Sequence, residues 1–336
     1  MSNESEEFTN EVEVSVLLPI YGSAPYIRET IESILNQDYK FFELIIVLDR
    51  AEKWVVNYVE RIPLIWEKTK ILKSLKPGIT SALNLGLENS SGKYIARIDS
   101  DDIMHTNRIS IQKNHLDNNS QVNCLGTQVL KINQNGEPLG QTKFPTLYGD
   151  VARILTYRNC LAHPSVMFRK QAVIDLGGYS EDFNGCEDYE LWLRISASGQ
   201  VENLSQILTS YRTWPGQFTN LKQEHIFKQA FYARVKYVAM ITNGKSEIKS
   251  FSNFSANLGI RRLVLIANEL QKDYGSYSRY LLSTFYFNKI FVLKKKKPFL
   301  LRKILQSVNF LLAFVLNPNS FIKLLASINR SRPILG

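Results

Sequence analysis

The sequence predicts an α/β fold on a sheet of parallel strands, followed by a helical, basic C-terminal extension. Three observations predict it. First, short apolar runs alternate with stretches whose apolar residues recur at helical spacing, the pattern of strands buried on both faces by crossover helices. Second, these runs end at prolines and aspartates: Leu18 at Pro19, Leu48 at Asp49 and Ile98 at Asp99. Third, the charge changes sign along the 336 residues, from 21 Lys/Arg against 27 Asp/Glu in 1–220 to 20 against 4 in 221–336. Such an asymmetry implies that the two parts meet different partners.

Val14-Ser15-Val16-Leu17-Leu18 is the first expected strand, closed by Pro19. After Gly22-Ser23, residues Ile27, Ile31, Ile34 and Leu35 mark a helix that Ser23 can cap. Glu43-Leu44-Ile45-Ile46-Val47-Leu48 is a second buried strand ending at Asp49, which completes a right-handed βαβ unit. A helix and a short strand are expected within 51–76. Gly78 then interrupts the chain, and Thr80 can cap a helix through Ala82, Leu83 and Leu87. Tyr94-Ile95-Ala96-Arg97-Ile98 forms the next strand and runs into Asp99-Ser100-Asp101-Asp102. Sheets of this class bind ligands at the carboxyl ends of their strands, where Asp49 and the Asp99–Asp102 cluster should fall together. Further on, Val166-Met167-Phe168 is strand-like and Tyr189-to-Ile195 helix-like.

The acidic groups carry the chemistry. Asp99, Asp101 and Asp102 repel one another unless a cation or strong donors hold them. An Asp-x-Asp at a strand end can bridge a diphosphate through Mg²⁺ or Mn²⁺, or Asp101 or Asp102 can cap the helix near Arg108. Glu187-Asp188 offers a general base for a hydroxyl, or a carboxylate cap for the helix that follows. His163 before Pro164-Ser165 reads as a structural residue or a ligand. Tyr211-Arg212 with Trp214-Pro215-Gly216-Gln217 reads as an ordered loop, either a lid or a connector. Cys124, Cys160 and Cys186 are odd in number and widely spaced, which excludes a disulfide framework and a zinc site and fits a reducing compartment.

The order of these pieces is itself informative. VSVLLPIY (Val14–Tyr21), Glu43–Asp49, GITSALNLG (Gly78–Gly86), GKYIARIDSDD (Gly92–Asp102), HPSVMFR (His163–Arg169), Gly177-Gly178-Tyr179 and EDYELWLR (Glu187–Arg194) follow one another. This succession, over residues 12–220, resembles the family 2 inverting glycosyltransferases of bacterial polysaccharide assembly. The resemblance implies a GT-A fold, with a Rossmann-like nucleotide half, an acceptor half and a mixed central sheet. It implies that the loop Pro19 to Tyr21 holds the nucleoside, that Asp49 contacts the base, and that Gly78 to Asn84 completes the pocket. Arg97 is placed with the donor-binding residues. Asp99 matches the residue facing ribose and metal, Asp101 the metal ligand, Asp188 the catalytic base, and Glu187 its neighbour at the acceptor site. A nucleotide-diphosphate sugar, UDP in most relatives, and a glycan or lipid-linked acceptor would be the substrates. Two departures stand out. Leu48-Asp49-Arg50-Ala51 replaces a common Asp-Asp-Gly-Ser, and Trp214 stands where many relatives carry a histidine.

The expected organisation is a polar, disordered start (1–12), a catalytic domain (13–220) and a helical basic region (221–336). Met1 to Glu13 has neither the apolar run nor the basic flank of a secretory signal. Beyond Asp273 stand eleven basic residues and no acidic one. After Lys294–Lys297, the apolar residues Leu301, Ile304, Leu305, Val308, Leu311, Leu312 and Val315 recur at helical steps. Phe310–Leu316 is too short to span a bilayer. An amphipathic helix at the inner face of the cell membrane is expected, or one packed on the catalytic domain. No nucleic-acid-binding signature accompanies the charge. A catalytically weak, nucleotide-binding scaffold is the alternative function. A nucleotidyltransferase is disfavoured because Ile20-Tyr21-Gly22-Ser23 is not a glycine-rich phosphate loop.

Overall fold

The computed structural model describes residues 12–155, 158–183 and 185–217, with 226, 229–230, 232–234 and 236–237 beyond them. The chain divides into two compact units, Met1–Arg234 and Val235–Gly336; the architecture below belongs to the first. The expected polar start and the amphipathic, basic tail lie outside the described residues.

Strands β1 (Val14–Tyr21), β2 (Phe42–Asp49), β3 (Thr69–Lys73) and β4 (Tyr94–Arg97) alternate with helices α1 (Ile27–Leu35), α2 (Lys53–Val59) and α3 (Ile79–Asn89). β2 is buried at every position and β1 at all but Tyr21, because helices cover both faces of the parallel sheet. Next come β5 (Ile103–Met104), α4 (Arg108–Asn118), β6 (Val122–Ile132), β7 (Pro138–Gln141) and α5 (Tyr148–Leu155). Then β8 (Met167–Arg169), α6 (Lys170–Asp175), α7 (Glu187–Ser198) and β9 (Gln200–Arg212) complete the unit. All nine strands form one sheet in the order β3-β2-β1-β4-β8-β6-β9-β5, with β7 on β6. β1 to β4 pair in parallel, whereas β8 is antiparallel to β4 and β6, and β6 runs parallel to β9. The sheet is mixed, as the resemblance implies.

Three local expectations are corrected. β1 does not stop at Pro19 but continues to Tyr21. Leu17 faces β4, since its carbonyl accepts the Ile98 N–H. Pro19, two residues on, faces the same side after the β1–β4 ladder has ended at Leu17–Arg97, so its missing donor breaks no ladder bond. Ser23 does not cap α1, which starts at Ile27 after Tyr26. Thr80 does not cap α3; Gly78 occupies that position with φ 121°, a conformation open to glycine.

Gly92, just before β4, explains how closely the strands approach. A Cβ there would lie 2.6 Å from the Ser15 backbone nitrogen. The Gly92 N–H donates instead to Ser15 Oγ at 2.9 Å, and that hydroxyl donates to Glu43 at 2.7 Å.

Candidate active site

β4 ends at Arg97, and the chain leaves the sheet through Asp99, Ser100, Asp101 and Asp102. One carboxylate oxygen from each of the three aspartates lies within 4.8 Å of the others. Asp102 is fully buried: its Oδ1 accepts the Arg212 N–H at 2.7 Å, and its Oδ2 has no partner among the described residues. Burial, then the charges of Asp101 and Asp99, push its carboxyl well above the usual range. Asp101 is pushed up by burial and by Asp99, while hydrogen bonds from Trp214 and Gln217 pull it back. Three hard oxygen donors with one buried lone oxygen fit Mg²⁺ or Mn²⁺. Asp99 and Asp101 are the expected ligands, and Asp102 lies with them in space. Neither Asp101 nor Asp102 caps α4, whose N-cap is Asn107.

Glu187 and Asp188 open α7, with Cys186 at its N-cap. Glu187 is 7% exposed, and its Oε2 accepts the Gly185 N–H at 2.7 Å. Asp188 keeps part of its surface open; its oxygens accept the Tyr189 N–H at 2.6 Å and the Asn159 amide at 2.9 Å. Burial, then the Asp188 charge, raises Glu187 to about 7. Burial also raises Asp188, against its two hydrogen bonds and Arg97. Asn159 carries no sequence signal, since nothing around it marks a motif.

Arg97 links the two acidic sets. It is 3% exposed, its Nη2 pairs with Asp99, and Nε and Nη1 have no partner among the described residues. Its charge favours the ionised forms of Asp101, Asp102, Glu187 and Asp188. A second buried guanidinium, Arg108, props the loop: it donates to the carbonyls of Arg97, Pro164 and Val166 at 2.6–2.9 Å. Burial and Arg97 lower its pKa to about 9. His163 is buried beside them, 3.1 Å from the Tyr179 hydroxyl and edge-on to Trp192. Burial, then Arg97, holds it well below the usual histidine range.

Of the residues expected to bind nucleotide, Tyr21 and Asp49 are register partners at the carboxyl ends of β1 and β2. Pro19 to Tyr21 is the end of a strand, not a loop; Pro19 is buried and Tyr21 is 66% exposed. Asp49, 4% exposed, accepts the Gly78 N–H at 2.8 Å and so serves the start of α3 from another strand. Asn84 bonds the backbone of Tyr179: its amide donates to the Tyr179 carbonyl at 2.9 Å and accepts the Tyr179 N–H at 2.8 Å. It thereby clamps the turn at Gly178, where φ is 73°.

Tyr211-Arg212 belongs to β9 rather than to a loop, because β6 and β5 pair with that strand on both sides. Thr213 to Gln217 follow it, and Trp214 Nε1 donates to Asp101 Oδ2 at 2.7 Å.

Residues 15–177 match the family model described as glycosyl transferase family 2. The O-antigen biosynthesis glycosyltransferase WbnJ of Escherichia coli is 33% identical over 203 residues, which cover 59% of this chain and 79% of that protein. An uncharacterized glycosyltransferase of Methanocaldococcus jannaschii is 30% identical, across 71% of this chain and 82% of its own. Among solved structures, S. aureus TarS 1-349 in complex with UDP-GlcNAc is similar with a TM-score of 0.60 at 16% identity, covering 88% of this chain and 89% of that one. The mannosyltransferase PcManGT of Pyrobaculum calidifontis, in complex with GDP-Man and Mn²⁺, gives 0.50 at 15% identity, covering 85% and 88%. At such identities these two structures speak to the fold alone.

Proposed function

This chain belongs to glycosyl transferase family 2, and on that premise we propose that it inverts the sugar it transfers, using Asp188 as base. It is a glycosyltransferase with a GT-A fold. The donor in this reading is a nucleotide-diphosphate sugar, with UDP as the nucleotide, as in the ligand of TarS. The acceptor is a hydroxyl of a glycan, carried on a lipid in surface polysaccharide synthesis; WbnJ is named for O-antigen biosynthesis.

The observation that carries this reading is the placement of two acidic sets around one buried arginine. Asp99, Asp101 and Asp102 form one cluster, and both it and the partly exposed Asp188 lie close enough to Arg97 to feel its charge. Asp188 takes the proton of the acceptor hydroxyl, whose oxygen bonds to the anomeric carbon as the bond to the diphosphate breaks. Raised from its ordinary value, Asp188 is a stronger base than an exposed aspartate. Arg97 holds Asp99 in place, and its charge supports the developing diphosphate. A divalent ion bound by the three aspartates would supply charge stabilisation to that leaving group. Glu187, buried behind Asp188, adjusts the base's charge and borders the acceptor site. Asp49, Gly78 and Tyr21 form the nucleoside end.

The basic stretch 221–336 suits attachment to an anionic cytoplasmic membrane surface, where each basic residue contributes about 1 kcal/mol. Among the described residues no helix is long and apolar enough to cross a membrane.

The test is transfer by the purified chain from a panel of nucleotide sugars with Mn²⁺ or Mg²⁺, with product configuration read by NMR. One donor consumed only with metal, giving a product of inverted configuration, is expected. Retention of configuration would refute the single displacement. Nucleotide binding without transfer from any donor would favour the scaffold alternative.

A further inference from the structure

We propose that Trp214 is a positioning residue for Asp101, fixing which carboxylate oxygen is presented to a divalent cation. The inference rests on reading Asp99–Asp102 as the cation and diphosphate site. An indole N–H can only donate, so Trp214 cannot itself be a ligand. Its Nε1 reaches Asp101 Oδ2 at 2.7 Å, within the charge-assisted range, and Gln217 Nε2 lies 3.4 Å from the same oxygen. With both donors on Oδ2, the carboxylate is held in one rotation and the other oxygen serves the ion.

The surroundings are built for this contact. Arg212 donates its backbone N–H to Asp102 at 2.7 Å and its Nε to the Asp101 carbonyl at 2.9 Å. Its guanidinium bonds Glu29 at 2.6 Å and lies 4.2 Å from the Tyr26 ring. Tyr26 also meets the Trp214 ring edge-on at 5.9 Å. Residues 212–214 are thus fastened to α1 on one side and to the aspartate loop on the other. Gly216 permits the last step: a Cβ there would come 2.0 Å from the Trp214 ring. Only glycine lets the indole fold back over the chain toward Asp101.

Hydrogen-bond partners of metal ligands typically govern affinity by ten- to a hundredfold. The experiment uses the full chain, UDP as nucleotide probe, and Mn²⁺ titrated by electron paramagnetic resonance, with Trp214→Phe and Gly216→Ala. Trp214→Phe should weaken Mn²⁺ binding about tenfold, while its thermal midpoint and its metal-free UDP affinity stay those of the parent. Gly216→Ala, which keeps the indole but displaces it, should weaken Mn²⁺ as well. Mn²⁺ should quench the parent's tryptophan fluorescence more than that of Trp214→Phe. Mn²⁺ affinity within about twofold of the parent in Trp214→Phe, or tighter, would overturn the proposal. Failure of the parent to bind Mn²⁺ with UDP would overturn it too, together with the metal reading. A Mn²⁺ response as expected in a chain that transfers no sugar would uphold the positioning role and sink the transferase mechanism alone.

Discussion

Glu187 and Asp188 are neighbours in sequence but meet different surroundings. One is buried on a backbone N–H, and the other is partly open and held by Asn159. Two carboxyls this close titrate as a pair. A base works only when deprotonated, and the pair is raised, with Glu187 at about 7. Transfer should therefore begin to fall at a higher pH than an ordinary aspartate would impose, because burial raises Asp188. Glu187→Gln removes one charge of the pair and should move the acidic limb of the pH–rate profile downward; an unmoved limb would count against the coupling. Asp101→Ala should abolish the metal dependence of donor binding, measured by calorimetry with and without Mn²⁺. Unchanged metal dependence would remove Asp101 from the ligand set. Asp99, Asp101, Glu187 and Asp188 were legible in the sequence as acidic motifs. Asp102's lone oxygen, Asn159 and Arg108 were not: Asn159 meets the Asp188 carboxylate and Arg108 the carbonyls of Arg97, Pro164 and Val166, partners far away in sequence.

At the scale of elements, the strands were legible because β1, β2 and β4 are buried on both faces and leave unbroken apolar runs. Caps were not. Ser23 and Thr80 are good capping residues by type, but the chain turns elsewhere, and Asp49 from β2 serves the start of α3. β9 was half hidden for a similar reason. Thr209-Ser210 are polar, and pairing with β6 and β5 makes them strand. The tight approach at Gly92 yields a direct expectation. A methyl group 2.6 Å from a backbone nitrogen must displace β1 or β4, so Gly92→Ala should cost about 1–3 kcal/mol in denaturant unfolding. A cost below about 0.5 kcal/mol would mean that the strands can part there freely.

At the scale of the whole chain, the proposed reading assigns sugar chemistry to the acidic residues 1–220 and attachment to the basic 221–336. The full chain should sediment with vesicles containing anionic lipid and be released as salt rises, because such attraction is screened within about 8 Å at physiological ionic strength. Changing Lys294, Lys295, Lys296 and Lys297 to alanine should weaken that binding; vesicle binding indifferent to salt and to these lysines would point to a packed tail. The central claim remains that Asp188 is the base of a single displacement. Its most direct test is Asp188→Asn, which keeps the shape and the Asn159 contact but cannot take a proton. The account predicts a fall in transfer of about 10²–10⁴-fold with UDP-sugar affinity unchanged. Transfer close to that of the parent would contradict it and place the base elsewhere.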